Sequence, residues 1–351
     1  MIGNRPQFVK AAAVSGPLRE RADEVLVHTG QHYDDELSRV FFDELGLPRP
    51  EHRLDLGGGS NTAQTARMLA AVARLLERER PDVVLVYGDT NSTLAGALAA
   101  AQAQVPVAHV EAGMRSFDMR MPEELNRVLT DHASSLLLCP APGAAANLRA
   151  ERVHGEVLVC GDVMVDVAAL IGPAAGSRSD VPAAHGVTPR GYLLVTAHRA
   201  GNVDDPERLA LLVDLLLALH EPVVLPLHPR TRARLEAAGS LDVLRAAAHV
   251  HLTGPLGYLE FTALVRQARR VLTDSGGVQK EAYLAAVPCV TLRDSTEWVE
   301  TVDAGWNVLV DLDAPAALAA LERPAPSAHP ALYGDGRAGM RVVEALLRMA
   351  G

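Results

Sequence analysis

Short runs rich in Val and Leu alternate with longer amphipathic stretches along most of this 351-residue chain. Few folds accept that pattern, because each short apolar run must be covered on both faces by the stretches around it. The spacing predicts strands at 24–27, 83–87, 105–110, 135–139 and 156–160, then at 192–196, 222–225, 250–252, 271–273 and 289–292. Between them it predicts helices at 7–19, 62–80, 93–104 and 123–133, then at 206–219, 229–238, 257–267 and 277–286. A softer stretch at 172–190, rich in Gly, Ser, Pro and Ala, separates two such halves. The fold class expected is therefore α/β, with two doubly wound Rossmann-like domains at 1–161 and 162–336.

Composition agrees. Apolar residues make up 48% of the chain and aromatics only 4%, so the core must be built from Ala, Val and Leu, which suits helices packed on a sheet. Charged residues interrupt every apolar stretch, so no membrane span is expected. The opening Met1-Ile2-Gly3-Asn4-Arg5-Pro6 lacks the apolar centre of a signal peptide. Cys139, Cys160 and Cys289 show no metal-ligand spacing and read as buried thiols of a cytoplasmic protein. A net charge of −10 argues against a nucleic-acid partner, so an anionic ligand would need locally concentrated cations. Lys10 and Lys280 are the only lysines among 33 basic residues, which makes them candidates for places where arginine does not serve, chance survival being the alternative. Gly3-Asn4-Arg5-Pro6 reads as a strand-to-helix turn with almost no strand before it, so the natural protein is expected to begin several residues upstream.

Open parallel sheets bind ligands outside the carboxyl ends of their strands. The predicted strands end in Gly88-Asp89-Thr90, in Glu111-Ala112-Gly113, in His198-Arg199 and in Asp274-Ser275-Gly276-Gly277. The last is a strand, a tight turn and a helix start, which aims unpaired N–H groups and a helix dipole at one point and so suits a phosphate or diphosphate. Ordinary alternatives exist for each: a helix cap for Asp89, an ion pair for Glu111, a satisfied core histidine for His198, a plain helix start for the Ser-Gly-Gly turn. Glu123 and Glu124 open a helix after Pro122, where carboxylates also simply complement the dipole. Arg5 and Lys10 could supply positive charge. The His28-Thr29-Gly30-Gln31-His32 run and His228 lack metal-ligand spacing, so no metal is expected. Gly57-Gly58-Gly59 is not a dinucleotide fingerprint, and no NAD or other cofactor is expected.

Several motifs occur in a telling order: Gly3-x-Arg5-Pro6 with Lys10, Gly88-Asp89-Thr90, Val110-Glu111-Ala112-Gly113-Met114-Arg115 and Pro122-Glu123-Glu124-x-Asn126-Arg127. His198-Arg199, Thr273-Asp274-Ser275-Gly276-Gly277, Arg293-Asp294 and Tyr333-Gly334-Asp335-Gly336 follow. Over essentially its whole length the chain resembles the non-hydrolysing UDP-N-acetylglucosamine 2-epimerases. The resemblance implies a glycosyltransferase B type architecture with an interdomain cleft, the C-terminal helix at 337–351 completing the first domain, and a homodimer. It implies interconversion of UDP-N-acetylglucosamine and UDP-N-acetylmannosamine by elimination and re-addition of UDP through a 2-acetamidoglucal, supplying a polysaccharide precursor. Asp89, Glu111, Glu123 and His198 would be the catalytic group. Arg5, Lys10, Arg199, Tyr258, Phe261, Ser275, Gly276, Gly277 and Glu281 would hold the UDP-sugar, with Glu281 on the ribose.

Some positions depart from the pattern. Gly201 stands where many relatives have Glu, and Gln7 where Glu is frequent. The opening Gly-Asn-Arg-Pro-Gln and the segment Asp294-Ser295-Thr296-Glu297-Trp298 also resemble enzymes epimerising UDP-2,3-diacetamido-glucuronic acid. A hydrolysing 2-epimerase and a glycosyltransferase of the same fold are further alternatives. In substrate-activated relatives a Gln-His-Arg segment helps build a regulatory site; here it reads Gln31-His32-Tyr33-Asp34, although Arg67 and His228 fit. Substrate activation should therefore be weak or absent, and a strongly sigmoidal dependence of rate on UDP-N-acetylglucosamine would refute this.

Overall fold

The computed structural model describes residues 1–31 and 42–351. They form two compact units, Met1–Leu170 with Tyr333–Gly351, and Ile171–Leu332. Residues 32–34 of the Gln31-His32-Tyr33-Asp34 segment fall outside the described residues. Among the described residues no helix is long and apolar enough to cross a membrane.

In the first unit, β1 (Val27–His28) and β2 (His52–Arg53) pair in parallel. Ile2 adds a parallel bridge to His28, so the Gly3 turn is preceded by a short paired segment. Then β3 (Val84–Tyr87), β4 (Val107–Val110), β5 (Leu136–Cys139) and β6 (Glu156–Val159) form a parallel sheet in that spatial order. Every residue of β4 and β5 is buried, as expected of strands covered on both faces. His109 is the polar exception, with no exposure at all. The Asn91–Gln102 helix after β3 starts from a Thr90–Thr93 capping box and is Ala-rich and buried nearly all round, which lets it lie close to the sheet.

The second unit has six parallel strands: β7 (Leu193–Thr196), β8 (Val223–Pro226), β9 (Val250–Thr253), β10 (Arg270–Thr273), β11 (Cys289–Thr291) and β12 (Asn307–Leu309). Their order is β12-β11-β10-β7-β8-β9, so connections run outward in both directions from the β7–β10 pair. That pair is the topological switch point, where a crevice opens at the carboxyl edge. Thr196 and Thr273 are in register, and their hydroxyls lie 2.6 Å apart. The two following turns therefore leave the sheet at the same level.

The predicted α/β class is observed, with the strand and helix types as expected. The 172–190 stretch needs correction. The Val163–Gly176 helix runs into it despite Pro173, and a short helix follows at Val181–Ala184. Val163, Val167, Ile171 and Ala175 are all buried, an i, i+4 stripe whose apolar burial outweighs the Gly and Pro signals. Helices at Pro142–Ala150, Ser240–Ala246 and Ala314–Leu321, and the edge strand β12, were also not anticipated. The Gly57–Gly59 run is held by Arg67, whose Nη2 donates to the carbonyls of Leu56, Gly57 and Gly58 at 3.3, 3.3 and 2.5 Å.

The Ala338–Ala350 helix lies against the Arg5–Arg19 helix within the first unit. Asp166 caps it from outside, accepting from Ala338 N at 3.1 Å and Gly339 N at 2.8 Å. A Cβ on Gly339 would sit 2.1 Å from the carbonyl oxygen of Ala13. Alanine would gain up to about 1 kcal/mol of helix propensity, but backbone overlap of this kind costs about 1–3 kcal/mol. Gly339→Ala should therefore lower the urea midpoint; a variant as stable as the parent would show that the two helices do not pack this closely.

Candidate active site

In the first unit, Tyr87 and Val110 are in register, so Gly88 and Glu111 leave adjacent strands side by side. Gly88 has φ +63°, and a Cβ there would approach Lys10 Nζ to 3.1 Å and Glu111 Oε2 to 3.4 Å. Glycine is needed for both the turn and the space. Lys10, from the Arg5–Arg19 helix, forms an ion pair with Glu111, the two side chains being 12% and 13% exposed. Glu111 itself has φ +70°, an unfavourable backbone for a side chain of its kind. It is held there because Glu111 N and Ala112 N both donate to Leu138 O, at 3.1 and 3.2 Å.

Asp89 is not the cap of the following helix; that role falls to Thr90. Its carboxylate pairs with Arg127, whose other nitrogen reaches Glu124 at 3.1 Å. Glu124 is buried and also accepts from Ser116 N and Ser116 Oγ at 2.9 Å and from Phe117 N at 3.0 Å. Glu123 is exposed and has no hydrogen-bond partner among the described residues. Of the two glutamates, Glu124 is thus fully engaged in holding its loop and Glu123 is available. Gln7 accepts from Gly3 N at 2.7 Å and donates to Tyr87 O at 2.8 Å and Thr93 Oγ1 at 2.9 Å. An ionised glutamate could not donate to Tyr87 O, so glutamine here ties the Gly3 turn to the end of β3. Gly3 admits that approach: a Cβ would lie 2.0 Å from Ser92 Oγ. Arg5, half-buried, is the first residue of the helix that carries Lys10.

In the second unit, Asp274 organises the turn after β7. Fully buried, it accepts from His198 N at 3.1 and 3.0 Å, from Arg199 N at 3.0 Å and from Asn202 Nδ2 at 3.3 Å. His198 is therefore no core histidine. Its side chain is 39% exposed, stacks on His228 with ring centroids 5.3 Å apart, and places Nδ1 3.7 Å from Asp274. Burial of its inner side draws the imidazole below its ordinary pKa, while the Asp274 carboxylate opposes that shift. His228 also caps the Pro229–Ala237 helix, accepting from Arg230 N at 3.2 Å.

The turn after β10 begins the Gly276–Leu284 helix, with Ser275 at the N-cap but no side-chain capping bond. The first-turn N–H groups have no intrahelical partner by geometry, which is how helix starts receive anions. Ser275 N donates to Thr273 Oγ1 at 2.9 Å, fixing the turn to its strand. A Cβ on Gly276 would meet Glu297 Oε2 and Trp298 Nε1, both at 3.3 Å, whereas Gly277 is exposed. Glu297 lies 3.0 Å from Arg293 and 3.3 Å from Arg199. Burial would raise its pKa, but these two guanidinium groups bring it below the usual carboxylate range. Further along the same helix, burial pushes Glu281 up to about 7, against the Tyr258 hydroxyl bonded to it and the Lys280 charge. Phe261 is half-buried one turn beyond Tyr258 on the Tyr258–Gln267 helix. Lys280 is buried with Nζ 4.0 Å from the Trp298 ring centroid.

Sequence reasoning singled out neither Asp274, Glu297 nor Arg127 as a site residue. For Asp274 a signal existed: an acid directly after an apolar strand must collect donors if it is buried. For the other two the partners are distant in sequence, and nothing local announces them. His198 should titrate, by NMR, below the ordinary value of 6.5, and Asp274→Asn should lower it further by removing the opposing charge. A parent value at or above the ordinary one would contradict the geometry.

The family described as UDP-N-acetylglucosamine 2-epimerase matches residues 17–347. The UDP-2,3-diacetamido-2,3-dideoxy-D-glucuronate 2-epimerase of Pseudomonas aeruginosa is 46% identical over 361 residues, covering 99% of this chain and 99% of that protein. A UDP-N-acetylglucosamine 2-epimerase homolog of Methanococcus maripaludis is 44% identical over 349 residues, covering 99% and 98%. Among solved structures, the Methanocaldococcus jannaschii UDP-GlcNAc 2-epimerase in complex with UDP-GlcNAc and UDP is similar with a TM-score of 0.92 at 40% identity, covering 99% of this chain and 98% of that one. The chain belongs to the UDP-N-acetylglucosamine 2-epimerase family.

Proposed function

We propose that this protein interconverts UDP-N-acetylglucosamine and UDP-N-acetylmannosamine without net loss of UDP, acting as a cytoplasmic homodimer that supplies polysaccharide precursor. The observation that carries the reading is the strained Glu111, paired with Lys10 and set beside Asp89 at the ends of adjacent strands. A left-handed backbone that presents a nearly buried, ion-paired carboxylate at a strand end supports an acid/base reading.

The reaction breaks the C2–H and C1–O bonds and forms a C1=C2 double bond, giving 2-acetamidoglucal and UDP. Re-addition of UDP at C1 with a proton delivered to the other face of C2 completes it. Two faces need more than one proton-handling group, and Asp89, Glu111, Glu123 and His198 supply them. A His198 drawn below its ordinary pKa is neutral at pH 7 and so able to accept a proton. As C1–O breaks, negative charge grows on the diphosphate; the Ser275-Gly276-Gly277 turn, with Arg5, Lys10 and Arg199, stabilises it. Glu281, beside Tyr258, would accept from ribose hydroxyls, and Phe261 and Tyr258 provide apolar surface for the nucleotide. Holding UDP after it leaves is what makes the step reversible rather than hydrolytic.

A second substrate has a specific observation behind it. Among the described residues Arg199 and Arg293 both pair with the one carboxylate of Glu297, so this group is rich in positive charge. A uronate carboxylate at C6 would balance it, and the Pseudomonas aeruginosa relative is named for such a substrate.

Incubation with UDP-N-acetylglucosamine in D₂O tests the proposal. Deuterium at C2 with no net UDP release is expected. Free sugar and UDP would indicate a hydrolase, and turnover of the diacetamido-uronate alone would move the assignment to that substrate. Asp89→Asn, Glu111→Gln and His198→Asn should each reduce kcat by about 100-fold or more while UDP affinity changes little. Unaltered kcat in all three would refute the catalytic assignment.

A further inference from the structure

We propose that His109 is a positioning residue for this reaction, a buried ring that ties the Gly88 turn to Asp131 and so sets where Asp89 and the Lys10–Glu111 pair stand. The proposal rests on the functional reading above for its consequence, but not for its structural content. His109 lies on β4 two residues before Glu111 and is completely buried. Its Nε2 is 2.7 Å from Gly88 O and its Nδ1 is 2.7 Å from Asp131 Oδ1. A carbonyl oxygen can only accept, so Nε2 carries a proton.

The other nitrogen meets Asp131. Its second oxygen accepts from Arg115 Nη1 at 2.7 Å and from Gly113 N at 3.1 Å. Burial would favour the neutral acid, but His109 and Arg115 beside it hold the carboxyl below its usual range. Nδ1 faces the other Asp131 oxygen, so the ring is held at both nitrogens. Arg115 itself is fixed by a two-pronged pair with Glu151, both bonds 2.7 Å. Of the remaining titratable neighbours, burial pushes the Cys139 thiol up to about 12, leaving it neutral. His132 sits on the outer side of Glu151 at 3.5 Å.

The ring contacts both Gly88 and Asp131, and these groups belong to the elements that carry the candidate site residues. Gly88 O is fixed by His109, while Gly88 N donates to Val110 O at 3.0 Å, so both polar groups of the turn are tied to β4. The Pro122–Ala133 helix that supplies Asp131 also supplies Arg127, the partner of Asp89, and carries Glu123. One ring thus locks the ends of β3 and β4 to the helix that flanks them. Displacement of reacting groups by about 1 Å can reduce rate by about 100-fold.

Two measurements decide. NMR of the full chain with ¹⁵N-labelled histidine should show Nε2 of His109 carrying a proton engaged with Gly88 O; a ring with Nε2 bare overturns the proposal whatever the enzyme's substrate. His109→Phe removes both bonds, and His109→Gln keeps one donor for Gly88 O. Per UDP-binding molecule, kcat for UDP-N-acetylglucosamine should fall about 10–100-fold in the Phe variant with KM changed less than about threefold, and Gln should recover part of the loss. Unchanged kcat per binding-competent molecule would make His109 merely structural. Should His109→Phe fail to fold, the Gln variant and the parent NMR still decide. A parent enzyme inert toward the sugar nucleotide would sink the functional reading alone, because the Nε2 proton and the Gly88 and Asp89 amide shifts in the variants still report on His109.

Discussion

A carboxylate removed from water must gather donors, and in each unit one buried aspartate gathers them from the turns that matter. Asp274 takes the N–H groups of His198 and Arg199, and Asp131 takes His109, Arg115 and Gly113 N. The alternative is desolvation that folding could not offset. Meeting that demand fixes loops which would otherwise be the least determined parts of a doubly wound unit. The parallel register does the rest, since Thr196 opposite Thr273 and Tyr87 opposite Val110 bring the turns out level with one another.

The lysine usage gains a physical sense from the same geometry. Lys10 reaches Glu111 past the one position where even a methyl group would press on its nitrogen, and the broader planar head of arginine would crowd Gly88 further. Lys280 places a compact charge over the Trp298 ring within a buried helix turn. In both places a point charge on a slim stem fits where a fork does not. Elsewhere the chain uses arginine, frequently to hold carbonyls or paired carboxylates, as Arg67 and Arg115 do.

Much of this was legible in the residues. Strand and helix alternation carries the α/β class, and the polar groups at strand ends point to Asp89, Glu111, His198 and the Ser-Gly-Gly turn. Glu123 and Glu124 could not be separated from the sequence, because both suit a helix start; only the loop bonds of Glu124 distinguish them. The Val163–Gly176 helix is masked in the sequence by its Gly and Pro residues, whose helix-breaking tendency a four-residue stripe of buried apolar groups overrides. Pairings such as Asp89 with Arg127 or Lys10 with Glu111 link residues 38 and 101 positions apart, and no local pattern carries such information.

The docking of the last helix on the first has a consequence for how the polypeptide is made. The second unit is a single continuous stretch, Ile171–Leu332, and every strand it needs is made before the Ala338–Ala350 helix. The first unit began earlier yet waits for Gly339 to meet Ala13 and for Asp166 to find the helix it caps. Synthesis order and completion order are thus reversed: the later-made unit can close first, and the Arg5–Arg19 helix stays uncovered on one face until the Ala338–Ala350 helix has been made. During that interval its apolar surface is a natural point of engagement for chaperones.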